Sequence, residues 1–205
     1  KISPGTIGMI IGLTGGIASG KSTAANHLES NGAQVMDGDV LGHRAYQPNT
    51  NAFRQIADTF GPETVGNDGL IDRKTLGGKV FGNPEALKQL TDILYPEIRR
   101  LFEEWIAECR AQDPDALLVM DAAVLLEAGW DDLADETWVV IVDPNLAVSR
   151  AIARDGLDEE AIRKRIASQL SNEERAVRAD VVIDNSGNEE TLIRRLNAEL
   201  TRITG

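Results

Sequence analysis

A chain of 205 residues suits one domain with room for inserted subdomains, and 42% hydrophobic with 26% charged residues is a globular composition. The formal charge of -12 argues against general affinity for nucleic acid, and no run approaches the roughly 18 uninterrupted apolar residues of a membrane span. Cys109 is the single cysteine, which excludes an internal disulfide and disfavours a thiolate metal site.

In chain order, Lys1–Gly8 has little pattern and none of a signal peptide, and Met9 would make a natural start. A cytoplasmic location is expected. Met9–Leu13, Gln34–Met36, Ala116–Met120, Thr137–Val142 and Val181–Ile183 are brief, rich in Val and Ile, and followed by Gly, Asp, Asn or Pro, so they are predicted strands. Helical patterns lie between them: Ser22–Ser30, Leu146–Arg154, and Glu189–Thr201 with Leu192, Leu196 and Leu200 spaced by four. This alternation predicts an α/β fold with a parallel sheet covered on both faces.

From about Gly42 to Asp115 no buried strand is predicted. The clearest helix there is Pro96–Gln112, where Ile98, Leu101, Phe102, Trp105, Ile106 and Cys109 form one stripe. A second insertion, Leu157–Leu170, opens on Asp158-Glu159-Glu160, acids suited to a helix N-terminus.

The stretch GLTGGIASGKST at Gly12–Thr23 follows the first predicted strand and opens a helix. Gly15, Gly20, Lys21 and Ser22 fit G-x-x-x-x-G-K-[ST], in which backbone N–H groups cradle phosphates, the lysine reaches the β- and γ-phosphates, and the hydroxyl meets Mg²⁺. An N-K-x-D guanine reader is missing. Asp37 and Asp39 follow the second strand, at the sheet edge where ligands gather in open α/β folds. Phosphoryl transfer needs one carboxylate to take the acceptor's proton and surroundings that help hold Mg²⁺; Asp39 is the expected base and Asp37 the orienting or outer-metal acid. Arg150 and Arg154 share a helix face after the fourth strand and would meet the transferring phosphoryl, with Arg163 and Arg165 in a presumed lid. Pairing with Asp155, Glu159 and Glu160 is the alternative. His27 and His43 are expected to be structural or, for His43, substrate-contacting.

GLTGGIASGKST, Asp37-Gly38-Asp39, Phe60-Gly61, DGLIDR at Asp68–Arg73 and VFGN at Val80–Asn83 together resemble the dephospho-CoA kinase family over about Met9–Ile203. Tyr95-Pro96 replaces the usual His-Pro of bacterial members, and Ala122–Glu127 replaces P-L-L-F-E. These, with LGHRAY and LLEAGW, are closer to the domain found in the animal bifunctional CoA synthase. The resemblance implies a P-loop NTPase three-layer fold with a five-stranded parallel sheet. It implies a single kinase domain with its core at about 9–41, 115–150 and 175–205, a helical acceptor-binding insertion at about 42–114, and a lid at about 151–174. It further implies ATP and Mg²⁺ as cofactors and dephospho-CoA, phosphorylated on the ribose 3′-hydroxyl, as acceptor. Gly16, Ile17, Ala18, Ser19, Gly20, Lys21, Ser22 and Thr23 would cradle ATP together with Arg150, Arg154, Asn185 and Gly187, Asn185 reading the adenine edge. Arg44, Arg73 and Leu125 would join Asp39 on the acceptor, Asp121 would assist Ser22 and Asp37 at the metal, and the protein would be a monomer or weak homo-oligomer. The other readings are a kinase of another small nucleotide or nucleoside, or an ATP-sensing module without catalysis.

Overall fold

A computed structural model describes residues 8–156 and 158–205. The expectations for Lys1–Ile7, and for Leu157 as the start of the second insertion, concern residues outside that description.

The elements run β1 (Ile10–Gly15), α1 (Lys21–Ser30), β2 (Gln34–Asp37), α2 (Gly38–Ala45), α3 (Asn51–Phe60), α4 (Arg73–Val80), α5 (Pro84–Gln112), β3 (Leu118–Asp121), β4 (Glu136–Ile141), α6 (Pro144–Asp155), α7 (Glu159–Ala167), α8 (Asn172–Val177), β5 (Val181–Asp184) and α9 (Glu189–Thr204). The strands form one five-stranded sheet of order β2-β3-β1-β4-β5, every pairing parallel. The chain divides into two compact units: residues up to Asp37 with Ile106–Gly205, and Gly38–Trp105.

The first unit holds the sheet. Ile11 and Leu13 of β1 turn to the same face as Trp138 and Val140 of β4, and there they bury against Ala24 and Leu28 of α1 and against the Leu192, Leu196, Leu200 stripe of α9. In the order of the strands, β1 is followed by a connection to β2 on one side, whereas β3 is followed by one to β4 on the other. The chain therefore switches direction at the β1/β3 pair, and the C-terminal ends of those two strands open a crevice.

The helical unit has its own core of Ile56, Phe60, Ile71, Leu76 and Val80, backed by Leu90, Ile93 and Leu94 of α5. The expected helix at Pro96–Gln112 is longer than predicted, beginning at Pro84 with Pro96 inside it. Asn83 starts it by accepting the Ala86 N–H at 3.2 Å, and Pro84 suits a first turn whose N–H needs no partner. Pro96 removes one interior hydrogen bond, and the apolar residues of the first half still bury against the unit's core, so the helix continues.

Trp138 is fully buried, and its indole N–H donates to Glu136 Oε2 at 2.9 Å. Arg202 of α9 reaches the same carboxylate at 2.6 and 2.9 Å. The Arg202 hydrogen bond holds the Glu136 carboxyl below its usual range, burial opposing and the Trp138 N–H helping. Its stabilisation is therefore complete above the ordinary carboxylate value and is lost as pH falls through the lowered one. Arg202→Met should lower stability by about 0.5 to 1 kcal/mol in urea unfolding near neutrality, half-exposed ion pairs being worth little more. That gap should narrow in acid as Glu136 protonates; a gap unchanged below about pH 3 would assign the loss to packing.

Candidate active site

The connection from β1 to α1 sits in the β1/β3 crevice, and its glycines are required by space. A Cβ on Gly15 would lie 2.6 Å from both Ser19 Oγ and the Val140 carbonyl oxygen. Gly20 has φ 97°, and a Cβ there would come within 2.2 Å of Asn185 Nδ2. Ala18, at φ 54°, is also left-handed. These conformations turn the backbone so that α1 starts at Lys21 with no side chain capping it and no acid in its first turn. Uncapped N–H donors and the positive end of the helix dipole make an anion receptor.

Lys21 stands over this receptor, its Nζ paired with Asp121 Oδ1; both side chains are largely buried. Asp121 ends β3 beside Leu13 of β1, and Asp37 ends β2 directly beside Asp121 in the ladder. Neighbouring strands lie about 4.8 Å apart, so two carboxylates and the lysine share one short edge of the sheet. Ser22 is exposed in the first turn of α1. Two carboxylates and a hydroxyl are hard oxygen donors suited to Mg²⁺, which keeps waters and substrate phosphates as its other ligands. Among the described residues no group of three or more His, Cys, Asp or Glu is placed to hold a metal alone.

The loop is tied down from behind. Asn185, after β5, is buried and donates its Nδ2 to the Ser19 carbonyl at 2.8 Å. Arg150 of α6 donates to the Asn185 carbonyl at 3.1 Å and to the Gly187 carbonyl at 3.2 Å. Asn185 thus commits one of the two N–H groups of its amide to the loop backbone, which sets the expected nucleotide-binding residue against the cradle. Arg150 clasps the β5–α9 turn, whose Gly187 is exposed, and Arg154 lies exposed in the last turn of α6. The bland alternative holds for α7, where Arg163 pairs with Glu159 at 2.8 Å and Lys164 with Glu160 at 2.7 Å.

Leu125 is not on the surface where an acceptor contact was expected. It is fully buried, and a Cβ on Gly12 would meet its Cδ2 at 2.8 Å, so it is a core residue filling the space that glycine leaves on β1. Ser19 is likewise covered, which limits it to its backbone groups, while Gly16, Ile17, Ala18 and Thr23 are half-buried along the loop and first turn.

In the helical unit, Asp39 is exposed in the first turn of α2 and Arg44 is exposed in its last. The DGLIDR motif is largely scaffolding. Asp68 accepts the Leu70 N–H, Gly69 takes φ 76°, and Asp72 caps α4 by accepting from Lys74 and Thr75. Arg73 follows the cap, exposed, close enough to Tyr46 that its charge favours the phenolate against the burial that raises that group's pKa.

Gln169, Glu127 and Arg175 have no counterpart among the expected residues. Gln169 Oε1 accepts the Ile17 N–H at 3.1 Å, and Arg175 is buried beside Gly16 with Glu127 as its ion-pair partner at 3.4 Å. A cavity of about 370 Å³ adjoins the loop there, with Gly16, Ile17, Gln169 and Arg175 in its wall. In the sequence Arg175 sits in Asn-Glu-Glu-Arg, which has the look of a solvated helix and carries no sign of burial.

A five-stranded parallel sheet, a glycine-bounded anion loop at the switch between β1 and β3, and an acid at the end of each of the paired strands β2 and β3 define a P-loop kinase fold. The dephospho-CoA kinase family model matches residues 9–191, and the chain belongs to that family. The dephospho-CoA kinase of Geobacter sulfurreducens is 48% identical over 187 residues, covering 91% of this chain and 94% of that protein. Among solved structures, TT1252 from Thermus thermophilus is 38% identical with a TM-score of 0.80, covering 97% of this chain and 99% of that one. The dephospho-CoA kinase from Campylobacter jejuni is 25% identical with a TM-score of 0.64, covering 96% and 98%.

Gly20→Ala should abolish ATP binding, because the new methyl meets Asn185 and the backbone angle is strained. Lys21→Met should weaken ATP binding by roughly 10- to 150-fold, the scale of one charge-assisted contact, as read by titration calorimetry. Parental affinity in both variants would move the anion receptor elsewhere.

Proposed function

We propose that this protein transfers the γ-phosphoryl group of ATP to the ribose 3′-hydroxyl of dephospho-CoA, giving CoA and ADP, the last step of coenzyme A synthesis. Family membership supports the reaction, and the observation that carries the residue roles is the uncapped, acid-free start of α1, with Lys21 held on Asp121 above it.

In this reading the N–H groups of the first turn of α1 and of the loop other than Ile17 receive the phosphates, and Lys21 leaves Asp121 for the β- and γ-oxygens. Ser22, Asp37 and Asp121 would hold Mg²⁺, which would supply charge neutralisation for the phosphates. Asp39 accepts the proton of the 3′-hydroxyl as its oxygen bonds to the γ-phosphorus and the bond to the ADP oxygen breaks, so each charge formed has a stated destination. Asp37 orients the acceptor or the outer metal shell.

The helical unit carries the acceptor. Arg44 and Arg73 are its exposed cations suited to a diphosphate, which guanidinium groups bind in a forked geometry. Arg150 and Arg154 would turn toward the transferring phosphoryl on lid closure, Arg150 giving up two carbonyls to do so. The enzyme is read as cytoplasmic and as a monomer or weak homo-oligomer; no helix among the described residues is long and apolar enough to cross a membrane.

The decisive experiment measures ADP formation from Mg-ATP with dephospho-CoA, adenosine, AMP or shikimate as acceptor, and product mass in parallel. ADP release that requires dephospho-CoA and yields CoA is expected. Equal turnover with another acceptor would favour a different nucleotide or nucleoside kinase, and ATP binding without turnover would favour a sensor. Asp39→Asn should keep ATP affinity and lose turnover by about two orders of magnitude, the usual scale of general-base help. Near-parental turnover in that variant would pass the role to another group.

A further inference from the structure

The loop amide of Ile17 has a partner that the phosphates do not supply. Gln169, in the connection from α7 to α8, reaches it with Oε1 at 3.1 Å across 152 residues of sequence. Arg175, one turn into α8, donates Nη1 to the Leu170 carbonyl and so fixes the backbone next to Gln169. Its Nη2 faces Glu127 Oε1 at 3.4 Å. The same Nη1 lies 3.5 Å from where a Cβ of Gly16 would be, so the guanidinium rests against the loop itself.

Arg175 is poorly explained as a source of stability. Its side chain is 2% exposed, and among the described residues its Nε has no hydrogen-bond partner and its ion pair, with Glu127, is long at 3.4 Å. Burying a cation with incomplete compensation is unfavourable, and a packed apolar side chain would stabilise such a position as well or better. What an apolar residue would not supply is a fixed donor on Leu170 and a positive charge directly behind a loop that must hold a polyanion. In a buried setting that charge is weakly screened.

We propose that Gln169 and Arg175 are positioning residues for the phosphate loop, a brace that keeps the Gly16–Ile17 segment in its anion-receiving shape and adds to the field felt by the phosphates. The proposal rests on the reading of this loop as the ATP cradle.

The test compares four variants of the full chain. Gln169→Leu and Arg175→Met remove the brace, Lys21→Met reports on the cradle, and Arg178→Met removes a nearby cation whose partner is Asp131 at 3.0 Å. Thermal unfolding, the Kd of Mg-ATP by calorimetry, its dependence on KCl, and KM for each substrate are read for all. Gln169→Leu, at a half-exposed side chain, should fold normally and raise Kd and KM for ATP by about three- to tenfold, with KM for dephospho-CoA unchanged. Arg175→Met should raise them by about tenfold or more and flatten the salt dependence, whereas Arg178→Met should alter neither. If Arg175→Met does not fold, Gln169→Leu decides alone. Parental ATP affinity in the folded brace variants, with Lys21→Met impaired, overturns the brace, as does an equal loss for both substrates. Parental affinity in Lys21→Met removes the cradle reading and the brace with it.

Discussion

The amide groups at the start of α1 are the constraint on which the rest of this structure depends. A helix whose first turn has neither a capping side chain nor an acid leaves N–H donors without partners, and that arrangement persists only if the backbone before it is held by other means. Here it is held by lack of room. The Val140 carbonyl closes the space at Gly15 and Asn185 closes it at Gly20, so the turn can be made in few ways and only by residues without a side chain. Sheet order then decides what surrounds those donors. Because β1 lies between β3 and β4, the loop has the acid-ended β3 on one side and the β4–β5 edge, with its tethering Asn185, on the other.

Charge balance at this edge explains why an acidic protein can bind a polyanion. The net charge of -12 is a property of the whole surface, whereas the loop sees the helix terminus, Lys21 and the buried Arg175 at short range. Asp121 balances Lys21. Asp37 and Asp121 are register partners at two strand ends, so this edge also carries two like charges side by side. In the proposed reaction Asp37 and Asp121 would hold a divalent cation, which would supply the charge neutralisation that phosphates need there.

Much of the fold is legible in the sequence because strands buried on both faces are short, apolar and rich in Val and Ile. Their ends are less legible, and for a reason tied to function. β1, β2, β3 and β5 close on Gly15, Asp37, Asp121 and Asp184, residue types that resemble turns, yet Gly15 pairs with Val140, Asp37 with Asp121, and Asp184 with Ile141. The proposed metal acids Asp37 and Asp121 are thus last rungs of the ladder, where local pattern and pairing disagree. The first half of α5 is hidden because Pro96 looks like a helix start, and only the packing of Leu90, Ile93 and Leu94 reveals that the helix is already under way. The settings of Leu125 and Asn185 are hidden for another reason. A motif identifies the neighbourhood of a residue, while its direction depends on a glycine or a carbonyl far away in sequence, Gly12 for one and Ser19 for the other.

Asn185 and Gln169 share a logic that a list of ligand-contacting residues would miss. Both are amides, both reach the loop from distant elements, and each satisfies a backbone group other than the donors of the first turn of α1: Asn185 donates to the Ser19 carbonyl and Gln169 accepts from the Ile17 N–H. If those two backbone groups lacked partners, the loop would be free to rotate peptide units toward solvent or toward each other, and the donors at α1 would lose their common direction. Satisfying the loop from behind keeps the front unsatisfied. For a reaction whose barrier is lowered chiefly by fixed dipoles aimed at phosphate oxygens, that division is what makes the site effective, since no reorganisation is then required when the charge arrives.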